Sequence, residues 1–168
     1  SLPLPEDEAF DAIHALEGRI CFNLMTEMLS RRDYAAGELR EKLRLYGYRD
    51  EEIDPCLDRA RDLRFVNDAR FASYFIEERK RRGWGRVKIE RELKMRGVSL
   101  DDIPDYPDAY FSEDDDLERA VALLGRKRVP DSRAYEKLVR HLMSKGFAYS
   151  VAAEATRRRL AEDDFTDF

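Results

Sequence analysis

The chain of 168 residues lacks any run of about 18 apolar residues, and its first residues do not show the basic and then apolar order of a signal peptide. We therefore expect no membrane-spanning helix and a cytoplasmic protein. Cysteine is scarce as well, because Cys21 and Cys56 are too few for a disulfide framework and do not form a C-x-x-C pair. We interpret both as buried structural thiols.

Signs of catalysis or of a bound cofactor are also missing. His14 and His141 have no second nitrogen ligand three or four residues away, as a zinc site would need. There is no G-x-x-x-x-G-K-[ST] loop to hold a nucleotide, and the G-W-G-R stretch lacks the spacing of a dinucleotide site. The carboxylates lie in charge runs, where solvation is their ordinary role. We expect no enzyme, no cofactor and no metal.

Charge, in contrast, is abundant. The chain has 31 Lys and Arg against 36 Asp and Glu, a net charge of −5, and only 8 Gly and 6 Pro. Such a composition is typical of many short amphipathic helices, each of which gives one apolar stripe to a thin core. It favours an all-α protein of elongated form.

Three segments of the sequence repeat one pattern. Two apolar residues, four apart, precede a glycine by eight and four positions, and an apolar residue follows the glycine. The members are Leu39, Leu43 and Gly47, then Ile89, Leu93 and Gly97, then Leu138, Leu142 and Gly146. The apolar pair marks one face of a helix, and the glycine takes the left-handed conformation that ends it. Further helical patterns lie on either side, so we predict an elongated, curved array of three tandem three-helix repeats.

The repeats divide the chain into five segments. Residues 1–19 form an acidic N-terminal segment or an extra helix, residues 20–66 the first repeat, residues 67–111 the second, residues 112–160 an acidic linker and the third repeat, and residues 161–168 an acidic C-terminal tail.

Prolines leave the start of one predicted helix undecided and shorten another. Pro55 either occupies the first helical position behind Asp54 or kinks a helix that begins at Asp50. In the second repeat, the acidic residues before Ile103 indicate the start of a third helix, which Pro104 and Pro107 then shorten. We predict a short helix there, followed by a solvated linker.

Positive charge is concentrated in one window, residues 79–98, which reads RKRRGWGRVKIERELKMRGV and holds nine bases against two acids. Residues 79–88 contain six bases and no acid, which indicates a polyanion or an acidic protein surface as partner. Arg31 and Arg32 precede Gly47 by the distance at which Arg81 and Arg82 precede Gly97. The predicted binding patch comprises Arg31, Arg32, Arg79, Lys80, Arg81, Arg82, Arg86, Lys88, Arg91 and Lys94.

Trp84 and Tyr34 occupy matching positions, each five residues before the first apolar residue of the repeated pair. One interpretation is that their rings stack on bases of a single strand, as aromatics interleaved with arginines do. The other is that they pack where one helix turns into the next.

The stretch LRFVNDARFASYFIEERKRRGWGRVKIERELKMRG, residues 63–97, resembles the central signature of the RecX family, bacterial regulatory proteins that act on the RecA recombinase. LSRRDYAAGELREKL from Leu29 and GFAYSVAAEA from Gly146 extend the resemblance to about residues 20–160. The residues that carry it are Asn67, Asp68, Arg70, Phe71 and Ala72, then the basic run from Arg79 to Gly83, then Gly85, Ile89, Leu93 and Gly97.

The resemblance implies a monomer that binds the RecA filament on single-stranded DNA. Its expected effect is to repress filament growth, ATP hydrolysis, strand exchange and co-protease activity, and so to modulate DNA repair, recombination and the SOS response. It also implies contact with single-stranded DNA, through the filament or directly.

Two alternatives stay open at the level of the sequence. A three-helix unit with a glycine-containing turn is also typical of helix-turn-helix modules that bind DNA directly. A purely structural scaffold is the third possibility.

Overall fold

The computed structural model describes residues 5–166, and this part of the chain contains eight α-helices and no strand. The helices are α1 Glu6–Arg31, α2 Ala36–Leu45, α3 Asp50–Asp62, α4 Asp68–Arg81, α5 Arg86–Met95, α6 Glu113–Gly125, α7 Ala134–Lys145 and α8 Tyr149–Thr166. A 3-10 helix, Leu100–Asp102, follows α5. The all-α prediction is confirmed. None of the described helices is long and apolar enough to cross a membrane.

The described chain divides into two compact units. The first contains residues 5–72 and 96–98, and the second contains residues 73–95 and 99–166. Helix α4 contributes its start to the first unit and its end to the second.

The first unit is built on the packing of α1, α2 and α3. Its fully buried side chains come from all three helices and include Cys21, Met25, Leu39, Leu43, Ile53 and Leu57. Helix α3 begins at Asp50 and carries Pro55 in its interior, so the interpretation that Pro55 occupies the first helical position is wrong. The carboxylate of Glu52 accepts a hydrogen bond from the backbone N–H of Arg49 at 2.9 Å, and this contact satisfies a free donor at the start of α3.

The second unit has its own core between α6, α7 and α8. Ala120, Leu124, Leu138 and Leu142 are fully buried there. Helix α7 ends at Gly146, whose φ of 97° lies in the left-handed region, as the repeated glycine pattern predicts.

A second set of glycines allows the end of one helix to approach the start of another. In the second unit, the N–H of Gly85 donates to the carbonyl oxygen of Lys145 at 2.8 Å, just before α5. A Cβ atom at Gly85 would lie 2.4 Å from the backbone of Gly146. In the first unit, a Cβ atom at Gly37 would lie 2.4 Å from the carbonyl oxygen of Arg96. Both contacts therefore require glycine at the start of the middle helix of a repeat.

The segment after α5 differs from the prediction. The expected third helix is a 3-10 helix of three residues that ends just before Ile103. The following stretch is not a solvated linker throughout, because Ile103 and Phe111 are buried. The carbonyl oxygen of Tyr110 accepts a hydrogen bond from Lys80 at 2.6 Å, which ties this stretch to the end of α4.

The two predicted terminal segments are largely helical. Helix α1 runs without a break through the expected boundary at residue 20, and α8 continues through residues 161–166 of the expected tail. Residues 1–4 and 167–168, which belong to those predicted segments, lie outside the described residues.

Candidate partner-binding surface

The last turn of α4 carries three of the predicted patch residues, and two of them, Arg79 and Lys80, are engaged inside the second unit. The guanidinium of Arg79 pairs with Glu78 and lies 4.6 Å from the ring centroid of Phe75, and its side chain is 18% exposed. The ammonium of Lys80 donates to the Tyr110 carbonyl oxygen and lies 3.3 Å from a carboxylate oxygen of Asp115. These contacts hold the fold, so the structure does not present Arg79 and Lys80 as binding groups.

Two further predicted residues form ion pairs with glutamates four residues away in sequence. An Nη atom of Arg82 lies 2.6 Å from Glu78, although the Arg82 side chain is 62% exposed. The Nε of Arg86 donates to Glu90 at 2.7 Å, and the Tyr106 hydroxyl donates to the same carboxylate oxygen. Burial alone would raise the pKa of Glu90, but the hydrogen bonds from Tyr106 and Arg86 lower that pKa below its ordinary value.

Arg91 and Lys94 differ from the residues above because both are exposed and neither forms a hydrogen bond or an ion pair with another described residue. They lie three residues apart on α5, so they share one face of the helix. Val87 and Met95 border them, with 52% and 72% of their surfaces exposed. Together with Glu90, whose pKa the charge of Lys94 helps to lower, these side chains line a shallow groove along the helix. We name Val87, Arg91, Lys94 and Met95 the α5 surface.

The two remaining predicted patch residues of the window lie outside this set. Arg81 is exposed on α4 and likewise forms no ion pair within the described part of the chain. The Lys88 ammonium lies 4.0 Å from the ring centroid of Trp84, where it makes a cation–π contact.

In the first unit, the predicted pair Arg31 and Arg32 is partly neutralised. Arg31 donates to Glu27 at 2.6 Å while remaining 73% exposed. Arg32 contacts Glu38 at 3.2 Å, and its guanidinium carbon lies 3.5 Å from the ring centroid of Tyr34. Neither arginine matches the unpaired condition of Arg91 and Lys94.

The rings of Trp84 and Tyr34 are covered by cations of the chain itself. Arg79 lies 5.0 Å and Lys88 lies 4.0 Å from the Trp84 ring centroid, and Tyr34 has Arg32 as its near neighbour. A ring whose face is occupied in this way offers less surface to a base. The contacts favour the packing interpretation over stacking on a single strand.

Helix α2 occupies in its repeat the position that α5 occupies in the next, and its corresponding residues are Glu41 and Arg44. Here the charges cancel, because Arg44 donates to Glu41 at 2.7 Å and to both carboxylate oxygens of Asp50 at 2.8 Å. The bond from Arg44 lowers the pKa of Asp50 below its ordinary value. The free positive surface is therefore specific to α5 between these two helices.

No sequence pattern groups His14 with carboxylates, yet the structure does so in the first unit. Ligand atoms of His14, Glu17 and Glu52 lie within 4.8 Å of one another. The Arg49 guanidinium donates to Glu52 at 2.7 Å and lies 3.9 Å from Glu17, so it supplies the positive charge that a metal ion would supply. The hydrogen bond from Arg49 lowers the pKa of Glu52. We interpret the group as an ion-pair network.

Sequence reasoning also missed Val87 and Met95, because it followed charge alone. The spacing in the sequence already contained the signal. Arg91, Lys94 and Met95 follow Val87 by four, seven and eight residues, so all four side chains lie on one face of a helix.

Comparison with known proteins gives consistent results. Residues 21–59 match the family model described as "RecX, first three-helix domain", and residues 67–104 match "RecX, second three-helix domain". The chain is 32% identical to the "Regulatory protein RecX" of Haemophilus influenzae (strain ATCC 51907 / DSM 11121 / KW20 / Rd), over 86% of this chain and 98% of the relative. It is 36% identical to that of Chromohalobacter salexigens, over 76% of this chain and 85% of the relative.

Two solved structures share the fold. One, described as "Crystal structure of regulatory protein RecX", is 21% identical in sequence and has a TM-score of 0.75. The alignment covers 94% of this chain and 81% of the chain in that structure. The other, described as RecX from Lactobacillus salivarius, is 19% identical in sequence and has a TM-score of 0.69. The alignment covers 86% of this chain and 97% of the chain in that structure.

Proposed function

Because the chain belongs to the RecX family of regulatory proteins, we propose that it binds the RecA filament on single-stranded DNA and represses the activity of the recombinase. It acts as a monomer and without catalysis or a cofactor. The repressed processes are filament growth, ATP hydrolysis, strand exchange and co-protease activity, which links the protein to DNA repair, recombination and the SOS response.

The observation that carries this proposal is the α5 surface. It combines two exposed cations, which form no ion pair within residues 5–166, with two exposed apolar side chains, whereas most of the other bases in the window are neutralised within the chain. Apolar area beside charge suits a protein partner with an acidic surface better than a phosphate backbone, because phosphates offer nothing apolar to cover Val87 and Met95.

A direct DNA-binding function is the alternative, and salt separates the two. Contacts with phosphates release counterions, so the logarithm of the affinity for naked DNA falls steeply and linearly with the logarithm of the salt concentration. Two cations on α5 allow only about two such contacts, which gives a slope near −2 or shallower. A larger slope on naked DNA would favour the alternative.

The test is binding to RecA filaments assembled on fluorescent single-stranded DNA with a non-hydrolysable ATP analogue, followed by anisotropy. Naked single-stranded DNA and duplex DNA of the same length serve as controls. We expect binding to the filament at least tenfold tighter than to either naked DNA in about 0.15 M salt. Equal affinity for naked DNA and filament would contradict the proposal.

A further inference from the structure

The two cysteines of the chain come together in the core of the first unit. Cys21 on α1 is fully buried, and Cys56 on α3 is 6% exposed. The Sγ of Cys56 donates a hydrogen bond to the carbonyl oxygen of Gly18 at 3.4 Å, one helical turn before Cys21. Side chains on a helix lean toward its N-terminus, so the side chain of Cys21 covers that same turn. Both cysteines belong to the same buried cluster, and each affects the pKa of the other.

Cys56 is the thiol that a small molecule can reach. It lines a groove between α1 and α3, and at Gly18, on the opposite wall, no atom lies within 4 Å of the place where a Cβ would stand. Cys21 is not among the residues that line this groove and has no exposed surface. An oxidant that enters the groove therefore meets Cys56 first.

The rate at which each cysteine is oxidised depends on how readily its thiol ionises. Burial raises the pKa of Cys21 to about 12. Burial also raises the pKa of Cys56, but the neighbouring Cys21 thiol and the positive charge of Arg59 act in the opposite direction. Because the thiolate is the nucleophile, Cys56 reacts before Cys21, and both react more slowly than an exposed cysteine.

We propose that Cys21 and Cys56 form a site of covalent modification, at which a peroxide converts two adjacent thiols into a disulfide that ties α1 to α3. In the first step, hydrogen peroxide oxidises the Cys56 thiol to a sulfenic acid and one water leaves. In the second, the sulfur of Cys21 attacks the sulfur of Cys56, the S–S bond forms, the S–O bond breaks and a second water leaves. The two thiols lose two protons and two electrons in total, which reduce the peroxide to two molecules of water.

The bond has a measurable consequence for stability. It joins two residues far apart in sequence and so restricts the unfolded chain, which raises Tm by roughly 5–10 °C for a chain of this size. Reduction with dithiothreitol reverses the shift.

The first test needs no substitution. The purified chain is treated with hydrogen peroxide at pH 8, and its intact mass and its tryptic peptides are measured without reductant. We expect the loss of two hydrogens and a cross-linked pair of peptides, residues 20–31 joined to residues 50–59. Gain of oxygen atoms without this cross-link, or cross-links only between separate chains, would overturn the proposal.

Variants test the order of the two steps. In Cys21→Ala the sulfenic acid of Cys56 has no thiol to react with, so dimedone traps it. In Cys56→Ala, Cys21 stays unlabelled over the same time because it is buried and its thiol is protonated. Labelling of Cys21 as fast as that of Cys56 would overturn the assignment of Cys56 as the reacting thiol.

Discussion

The last turn of α4 and the α5 surface each carry an arginine and a lysine close together. The two pairs differ in what their side chains contact. Arg79 and Lys80 are 18% and 16% exposed and are held by Glu78, Tyr110 and Asp115. Arg91 and Lys94 are exposed and form no ion pair within residues 5–166. Bases of one sequence window thus differ in their environment, and only the contacts of each group show which of them hold the fold.

The largest effect is expected from Arg79→Ala. The substitution removes a little-exposed guanidinium from Glu78 and from the faces of Phe75 and Trp84, so the free energy of unfolding should fall by about 2–3 kcal/mol. Denaturant unfolding measures it. Arg81→Ala on the same helix is the control, and it should change stability by less than about 0.5 kcal/mol. Equal losses in both variants would remove the distinction between the two regions.

The next effect concerns the hydrogen bond that Tyr106 donates to Glu90 on α5. In Tyr106→Phe, Glu90 loses the hydrogen bond from the hydroxyl, and the free energy of unfolding should fall by about 1.5 kcal/mol at pH 7. Because the folded pKa of Glu90 lies below its ordinary value of 4.5, its ion contacts stabilise the protein above pH 4.5.

That stabilisation is lost as the pH falls through the folded pKa of Glu90. The difference between wild type and Tyr106→Phe should therefore shrink between pH 5 and pH 3 in urea unfolding. A difference that is independent of pH would show that the hydroxyl acts through packing and not through the charge of Glu90.

Substitutions on the α5 surface are expected to change the free energy of binding to the filament by a comparable amount. Arg91→Glu with Lys94→Glu should weaken binding to the RecA filament about tenfold, or about 1.4 kcal/mol. Stability should fall by only about 0.5 kcal/mol, because the substitution replaces the attraction between Lys94 and Glu90 by a repulsion. The matched control is Lys137→Glu with Arg140→Glu, two exposed residues at the same spacing on α7, with the same change in net charge. If the control weakens binding as much, overall charge and not the α5 surface is responsible.

The smallest effect is expected from giving α2 the charge pattern of α5. Glu41→Arg removes the partner that Arg44 contacts at 2.7 Å and leaves two bases on that face. Affinity for the filament should rise by about twofold, because a second positive face adds to the attraction of an acidic surface. Lower affinity, measured by the same anisotropy assay, would show that the corresponding faces of α2 and α5 do not meet the same kind of partner surface.

The parts of the fold that were predictable are those set by neighbours in sequence. The apolar pair and glycine that end α7 lie within nine residues, and local capping chemistry decides their conformation. Gly37 and Gly85 could not be assigned this way. Their need for glycine comes from the backbones of Arg96 and Gly146, about 60 residues away, which no local pattern reveals.

The candidate site shows the same limit. The sequence located the basic window, but the fate of each charge depended on distant partners. Lys80 donates a hydrogen bond to the carbonyl oxygen of Tyr110 and pairs with the carboxylate of Asp115, which lie 30 and 35 residues further along the chain. The elongated, curved form, the segment boundaries and the roles of the ten predicted bases stay predictions.

The central claim is that the α5 surface gives the protein its effect on RecA. Its most direct test is the rate of ATP hydrolysis by RecA at saturating single-stranded DNA, titrated with the wild type, with Arg91→Glu/Lys94→Glu and with Lys137→Glu/Arg140→Glu. We predict that the wild type and the α7 control lower the rate at similar concentrations, and that the α5 variant needs about tenfold more. Inhibition by the α5 variant at the wild-type concentration would contradict the claim.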